Sequence, residues 1–532
     1  MAKGGSGYSL TAGGGQMPST VNTGFALDMQ RKLYRWSLSD KSKIFSDLFN
    51  LVCDRRTLMH AWRRLSTNSG SSTPGTDGLT RRKVQERAGG EAGFLEEIHK
   101  ELKEGTYRPE PVRQRLIPKP NRPGQFRPLG IPTLKDRLVQ MALKYILEPI
   151  FEADFYPTSY GFRRGRNTHD ALAAVIKQLH PTNHGTSPVT FILEGDIKGC
   201  FDAVDIHLLM NRVRRRIGDR KVLRLVRAFL KAGVMIDGRV RHPATGTPQG
   251  GVISPLLANI YLTSLDERYE RWTPRPGEPP TNAVSRRYRD RKLGNATFYM
   301  VRYADDFVLL ATGTRADVEA ERDALAQFLG EELRLELSKE KTLITIPQDG
   351  FVFLGYRVVQ AKSYRKARLV GNLRIPREKL SDLRREIKQR TARGTIGRSL
   401  KELIWTLNSL IVGWRTYFQY ATGAYRAFHS LDDWLWRRIL RWLKKKHRRV
   451  GSWELRKRFS AGTTAPLRGR WRDGKVLLRQ FSDGGTKRYR NRGIRIPNGW
   501  NAEPGEWFLS GATAEFWAGY RAMATMSPTR SP

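Results

Sequence analysis

Cysteine is nearly absent from this chain: Cys53 and Cys200 are the only thiols among 532 residues. Two thiols cannot build a disulfide framework or a four-cysteine zinc site, so both read as small buried hydrophobes in a reducing compartment. Acid is the second shortage, with 51 Asp and Glu against 95 Lys and Arg and a formal net charge of +44. An excess of that size repels the compact state and makes sense chiefly beside a polyanion. Charge alone leaves open a ribosomal-type structural protein or an anionic-membrane binder. Long apolar runs are also missing, since none approaches the ~20 residues of a membrane-spanning helix. Hydrophobic content of 39% and aromatic content of 10% nevertheless suit several folded domains rather than a basic disordered tail. The chain reads as soluble and intracellular, behind a Gly- and Ser-rich leader that is a flexible arm or an expression scar.

Two short apolar runs, Phe298–Val301 and Phe307–Leu310, flank the tetrapeptide Tyr303-Ala304-Asp305-Asp306. Each run is rich in β-branched and aromatic residues and reads as a strand, so two adjacent carboxylates are expected at a hairpin tip. Aspartates in turns often only bond local amides. A buried hairpin that brings two like charges together, however, needs a compensating cation, and hard divalent ions with oxygen ligands supply it. A third carboxylate, Asp196, ends the apolar run Val189–Leu193 and its continuation Glu194-Gly195. If Asp196 and Asp305 face each other on neighbouring strands, they can hold two metal ions about 3.5–4 Å apart, as nucleotidyl transfer requires.

These residues resemble the catalytic core of reverse transcriptases. The segments Arg127-Pro128-Leu129-Gly130-Ile131-Pro132-Thr133 and Gly246-Thr247-Pro248-Gln249-Gly250-Gly251, the latter running on through Leu262, are similar to the reverse transcriptases encoded within group II introns. The resemblance extends from about Asp40 to Arg449. It implies an α+β right-hand polymerase with fingers, a palm whose antiparallel sheet carries the Tyr-Ala-Asp-Asp hairpin, and a helical thumb that is also the maturase domain. The expected division is a flexible leader over 1–39, an N-terminal extension and fingers over 40–180, a palm with finger elements over 181–370, a thumb over 371–449 and a DNA-binding tail over 450–532.

By the same resemblance, Asp196 and Asp305 are the metal ligands for two Mg²⁺ ions, with Asp306 supporting them. Lys119 and Arg127 contact the incoming triphosphate, Gln249 borders the nucleotide and template base, and Lys341 lies near the leaving pyrophosphate. Phe201, five residues past Asp196, is the expected gate against a ribose 2′-hydroxyl, although from sequence alone it is a core aromatic. Phe353-Leu354-Gly355 resembles the turn that grips the primer end. Tyr160-Gly161-Phe162-Arg163 also resembles a family motif, and an aromatic pair around a glycine is equally a packing feature.

Local signals place other elements. Apolar spacing predicts helices from Asp40 to Leu65, from Leu134 to a stop near Pro149, and from about His169 to Leu179. Ser254 is the expected N-cap, with Pro255 at the first helical position, of a helix running to about Trp272. Arg271–Asn295, rich in proline and arginine, is expected as a connecting loop. Beyond Pro376 apolar stripes predict at least three helices, and Arg437–Arg458 holds eleven Lys or Arg against the single acid Glu454. Such a charge run makes one face cationic, and because Asn408–Tyr417 and Leu431–His447 resemble the maturase domain of intron-encoded proteins, the resemblance implies that Arg437, Arg438, Arg441, Lys444, Lys445 and Lys446 contact intron RNA.

Trp471, Tyr489, Trp500, Trp507 and Trp517 among Arg and Gly suit a small module that stacks on single-stranded DNA. Many relatives end in a zinc-dependent endonuclease with paired cysteines, and none is expected here because no cysteine follows Cys200. The expected partners are intron RNA in a ribonucleoprotein, target DNA and deoxynucleoside triphosphates, in a nucleoid-associated bacterial or an organellar setting. Two other readings stay open: a non-catalytic RNA-binding splicing factor and a reverse transcriptase recruited to host defence.

Overall fold

The computed structural model describes residues 23–118, 124–181, 187–236, 239–241, 250–338, 340–363, 368–462, 469–489, 491–493, 496 and 498–500. A helical layer comes first: α1 (Thr23–Ser39), α2 (Phe49–Cys53), α3 (Arg55–Ser66), α4 (Arg81–Glu86) and α5 (Gly90–Glu104). The expected leader is therefore too long at its C-terminal end, because α1 buries Met29 and Leu33 in the main core. Asp54 divides what the periodicity suggested was one helix, since its carboxylate accepts the Arg56 N–H at 2.7 Å and caps α3.

The hairpin β1 (Val112–Pro118) and β2 (Phe126–Ile131) follows, then α6 (Leu134–Glu152), capped by Thr133. Pro149 lies inside α6 rather than ending it. Next come α7 (Thr168–Leu179), opened by a capping box between Asn167 and Asp170, and β3 (Phe191–Asp196). Helices α8 (Cys200–Ala203), α9 (Ile206–Arg214) and α10 (Arg220–Lys231) lead to β4 (Val234–Ile236) and β5 (Arg239–Arg241). Strand β4 runs parallel to β1, which makes a sheet in the order β2-β1-β4-β5. The Asp219 carboxylate both caps α10 and accepts the Leu48 and Phe49 amides at 2.8 Å, tying the first layer to this region.

Helix α11 (Ser254–Arg268) is buried on nearly every side. It starts at Ser254 itself without a side-chain cap, and it stops four residues short of the expected Trp272. The stretch expected as a connector contains α12 (Pro280–Lys292), whose first helical residue is Pro280. The hairpin β6 (Thr297–Tyr303) and β7 (Asp306–Thr312), α13 (Arg315–Leu333) and β8 (Leu343–Thr345) complete a second sheet, in the order β6-β7-β3-β8 with every pairing antiparallel.

A third sheet of β9 (Phe351–Phe353), β10 (Tyr356–Lys362) and β11 (Leu369–Arg374) leads into α14 (Arg377–Arg390), α15 (Leu400–Phe418), α16 (Ala424–Lys446) and α17 (Ser452–Phe459). The chain then forms the short pair β12 (Arg472–Asp473) and β13 (Val476–Leu477). These elements share a second core with α7. The described part of the segment expected as a small DNA-binding module joins that core: Trp471 and Phe481 are buried in it, and the Trp471 ring stacks on Trp436 at 5.3 Å, whereas Trp507 and Trp517 lie outside the described residues. Trp500 reaches back to stack on Tyr34 of α1 at 5.7 Å. Among the described residues no helix is long and apolar enough to cross a membrane.

Candidate active site

Strands β3 and β7 pair with Asp196 opposite Asp306, and β6 and β7 pair with Tyr303 opposite Asp306. The hairpin therefore turns through Ala304 and Asp305 alone. Ala304 takes the left-handed conformation at φ 58°, as the first loop position of a tight hairpin can require. This register brings Asp196, Asp305 and Asp306 to one end of the sheet, but the residue across from Asp196 is Asp306 rather than the expected Asp305, which sits in the turn itself.

The electrostatics of the three carboxylates register their crowding. Burial, then the Asp305 and Asp196 charges, push the Asp306 carboxyl up to about 6, with Lys341 opposing. Burial and Asp196 also raise Asp305, against the pull of Arg127 and Arg302. Lys341 reaches across from the turn before β8 and places Nζ 2.7 Å from Asp196 Oδ2. Its position is set by backbone, because the Ser338 N–H donates to the Asp196 carbonyl at 2.8 Å and the Lys341 N–H to the Ser338 carbonyl. Arg127, exposed on β2, is close enough to act on both Asp305 and Asp202.

Close packing fixes the other sides. A Cβ on Gly195 would lie 2.0 Å from the Phe307 ring, and one on Gly161 would lie 2.3 Å from the Ala304 nitrogen. Gly161 thus lets the Tyr160–Phe162 segment lie directly against the Ala304–Asp305 turn. Phe162, itself at φ 57°, meets the expected gate Phe201 edge to face at 6.5 Å. Gly250 holds φ 117° with the Gly130 carbonyl 2.1 Å from where a Cβ would stand, so the backbone at Gly250 lies directly against β2. Lys119 and Gln249 lie outside the described residues.

A set of residues that the sequence reading passed over holds this turn. Arg302 is fully buried and its guanidinium makes four bonds: two to Asp266 at 3.0 and 2.5 Å, one to Asn259 Oδ1 at 3.1 Å, and one to the Ala304 carbonyl at 3.0 Å. Asn259 donates in turn to the Gly161 carbonyl at 2.8 Å. Burial pushes the Asp266 carboxyl up while Arg302 opposes it. The available signal was an arginine inside the apolar strand run before Tyr303, a position where charge is kept only with partners.

The expected primer-contacting turn, Phe353-Leu354-Gly355, joins β9 to β10 with both Leu354 and Gly355 left-handed, at φ 47° and 74°. The Tyr417 hydroxyl of α15 donates to the Leu354 carbonyl at 2.5 Å, and the Tyr356 hydroxyl donates back to the Tyr417 carbonyl. On α16, Arg441, Lys444 and Lys445 are exposed, whereas other expected RNA contacts have structural partners. Arg438 donates to Thr391 Oγ1 at 2.8 Å, Lys446 to the Ile396 carbonyl at 2.8 Å, and Arg437 pairs with Asp433 at 2.7 Å.

Among the described residues no group of three or more His, Cys, Asp or Glu could hold a metal ion by itself. Two crowded carboxylates nevertheless fit a hard divalent ion, because Mg²⁺ takes only one or two carboxylates and completes its shell with water and substrate phosphates. A family model described as reverse transcriptase (RNA-dependent DNA polymerase) matches residues 117–358, the stretch that contains the β6–β7 hairpin and β3, and places the chain in the reverse transcriptase class.

A second model, the group II intron maturase-specific domain, matches residues 380–459. Protein YkfC of Escherichia coli is 41% identical over 368 residues, which cover 66% of this chain and 93% of YkfC. The group II intron-encoded protein LtrA of Lactococcus lactis is 34% identical over 360 residues, 59% of this chain and 57% of LtrA. Nuclear intron maturase 1 of Arabidopsis thaliana is 24% identical over 314 residues, 45% of this chain and 42% of that protein. The chain thus spans most of YkfC but little more than half of LtrA. It belongs to the family of group II intron-encoded reverse transcriptases and maturases.

Proposed function

We propose that the chain copies RNA into DNA by two-metal nucleotidyl transfer, and that it binds group II intron RNA, assists its splicing and carries it to target DNA for target-primed synthesis. The observation that carries the catalytic part is the register of β3 against the β6–β7 hairpin, which gathers Asp196, Asp305 and Asp306 beside Lys341. Two Mg²⁺ ions held by Asp196 and Asp305 would activate the primer hydroxyl and stabilise the leaving oxygens.

The chain's own residues do the rest. Arg127 and Lys119 close on the triphosphate, and Gln249 borders the pairing base. Lys341, near Asp196 in the free protein, exchanges that carboxylate for the pyrophosphate as it leaves. Phe201, braced by Phe162, excludes a 2′-hydroxyl and so selects deoxynucleotides. The β9–β10 turn holds the primer end, with Tyr417 anchoring it to the helices that form the thumb. Intron RNA binds across α16, where Arg441, Lys444 and Lys445 carry phosphate contacts and Arg437, Arg438 and Lys446 add field while fixing the helix.

Replacing Asp305 and Asp306 together by Ala tests the assignment on a primed RNA template with Mg²⁺ and deoxynucleotides. Synthesis is expected to vanish while intron RNA binding stays within about twofold. Unaltered synthesis would refute the assignment, and synthesis absent from the wild type with tight RNA binding would make the chain a splicing factor alone.

A further inference from the structure

Away from the Ala304–Asp305 turn, α7, β11, the α15–α16 connection, residues 486–489 and Asn491 line a cavity of about 1670 Å³. Small-molecule pockets run to roughly 300–1,000 Å³, so this one suits a length of polymer. Lys177, Arg368, Lys487 and Arg488 line it, and among the described residues its lining contains no Asp or Glu. Asp196, Asp305 and Asp306 are not part of it.

The walls are built, not incidental. The Lys487 N–H donates to the Gln419 carbonyl at 3.0 Å, which pins the tail to the end of α15. The Tyr489 hydroxyl donates to Asp170 Oδ1 at 2.8 Å, and Arg492 pairs with the same carboxylate at 2.5 Å. Asp170 is thereby buried and spent on the clamp, which leaves the groove cationic. Tyr420 and Tyr489, both in the lining, stand edge to face at 5.0 Å. Cations that track a backbone beside aromatic rings that accept bases are the two requirements of a single-strand binding groove.

We propose that this groove is a second nucleic-acid site, which holds a single-stranded segment outside the polymerase centre, with phosphates on the four cations and bases against Tyr420 and Tyr489. The inference does not depend on synthesis, because it concerns binding alone. Four phosphate contacts give a salt slope of about −2.8 for a single strand, so affinity should fall about 50-fold between roughly 50 and 200 mM salt.

The test uses the full chain with its polymerase centre saturated by a primer–template duplex ending in a dideoxynucleotide, and follows fluorescent 12-residue single strands of RNA and of DNA by anisotropy. Lys177, Arg368 and Arg488 are exposed, so Lys177→Glu/Arg368→Glu/Arg488→Glu should fold. It is expected to weaken second-strand binding at least tenfold and flatten the salt slope to about −0.7, with binding of the duplex unchanged. A preference for the RNA or the DNA strand identifies the natural source. A matched reversal at exposed Arg82, Lys100 and Arg315 controls for general charge. The proposal is overturned if the wild type binds no second strand, if the groove variant binds as the wild type does, or if the control weakens binding equally.

Discussion

Arg302 offers the sharpest separation of stability from catalysis. Its guanidinium and the Asp266 carboxylate are both fully buried, and the same side chain holds the Ala304 carbonyl of the catalytic turn. Arg302→Met keeps much of the volume but leaves Asp266 charged or protonated without its partner, a loss worth about 3–5 kcal/mol. For a unit of roughly 150–250 residues that is a fall of about 6–20 °C in the melting transition. Replacing both partners, as Arg302→Met/Asp266→Leu, removes the stranded carboxylate and should recover most of the stability, because buried pairs exchanged for apolar groups are often neutral. Synthesis should not recover, since Ala304 still lacks the donor that sets the turn carrying Asp305. Scanning calorimetry and single-turnover extension, read on the same preparations, decide the matter. A double variant that regains stability while extending at least tenfold more slowly than the wild type is expected. Full recovery of extension, or a stable single variant, would refute the reasoning.

Other outcomes follow from particular contacts. Phe201→Ala should raise ribonucleotide use relative to deoxynucleotide use by about tenfold or more, roughly 1.4 kcal/mol of discrimination, measured by competing the two sugars in one extension reaction; an unchanged ratio would remove Phe201 from the gate. Tyr417→Phe deletes the donor to the Leu354 carbonyl, a bond worth about 0.5–1.5 kcal/mol, and should shorten products at limiting enzyme while single-nucleotide addition changes little. Asp136 is buried and its carboxyl is pushed up to about 6, burial being the main cause. Its folded pKa exceeds the unfolded value, so its contribution is fully present below about pH 4 and is lost as pH rises through 6. The cost at pH 7 is on the order of 3 kcal/mol. The melting temperature of wild type relative to Asp136→Asn should therefore drop between pH 4 and 7, and a constant gap would contradict the burial argument.

The hairpin that carries Asp305 and Asp306 was legible because it rests on local pattern. Two continuous apolar runs on either side of Tyr303–Asp306 specify a tight hairpin, and that hairpin specifies its register. The pairing of Asp196 with Asp306 adds a long-range contact, which two strands of the right length and apolarity make the natural solution. Helix boundaries were less legible where tertiary packing overrides local signals. Pro149 is tolerated inside α6 because the Tyr145 carbonyl that it leaves without a helical partner accepts from the Gln30 side-chain amide at 3.0 Å, and Ser254 is buried within the helix it was expected to cap. Pro280 opens α12 inside a stretch whose prolines suggested a loop. Arg302 was legible only in part: its place in an apolar strand run marks it as needing partners, but those partners, Asp266 and Asn259, lie on α11 and cannot be named until that helix is placed. The tail shows the same limit, since Trp471 could equally stack on a base or on Trp436, and only the fold chooses between them.

The central claim is that Asp305 is charged and holds a metal ion at the point of nucleotidyl transfer. Single-turnover extension of a primed RNA template with Mg²⁺, comparing the wild type with Asp305→Asn at equal template occupancy, tests it directly. The substitution keeps the size and removes the charge, so a drop of about 10³-fold, near 4 kcal/mol of barrier, is predicted with binding intact. Extension within a fewfold of the wild type would contradict the account.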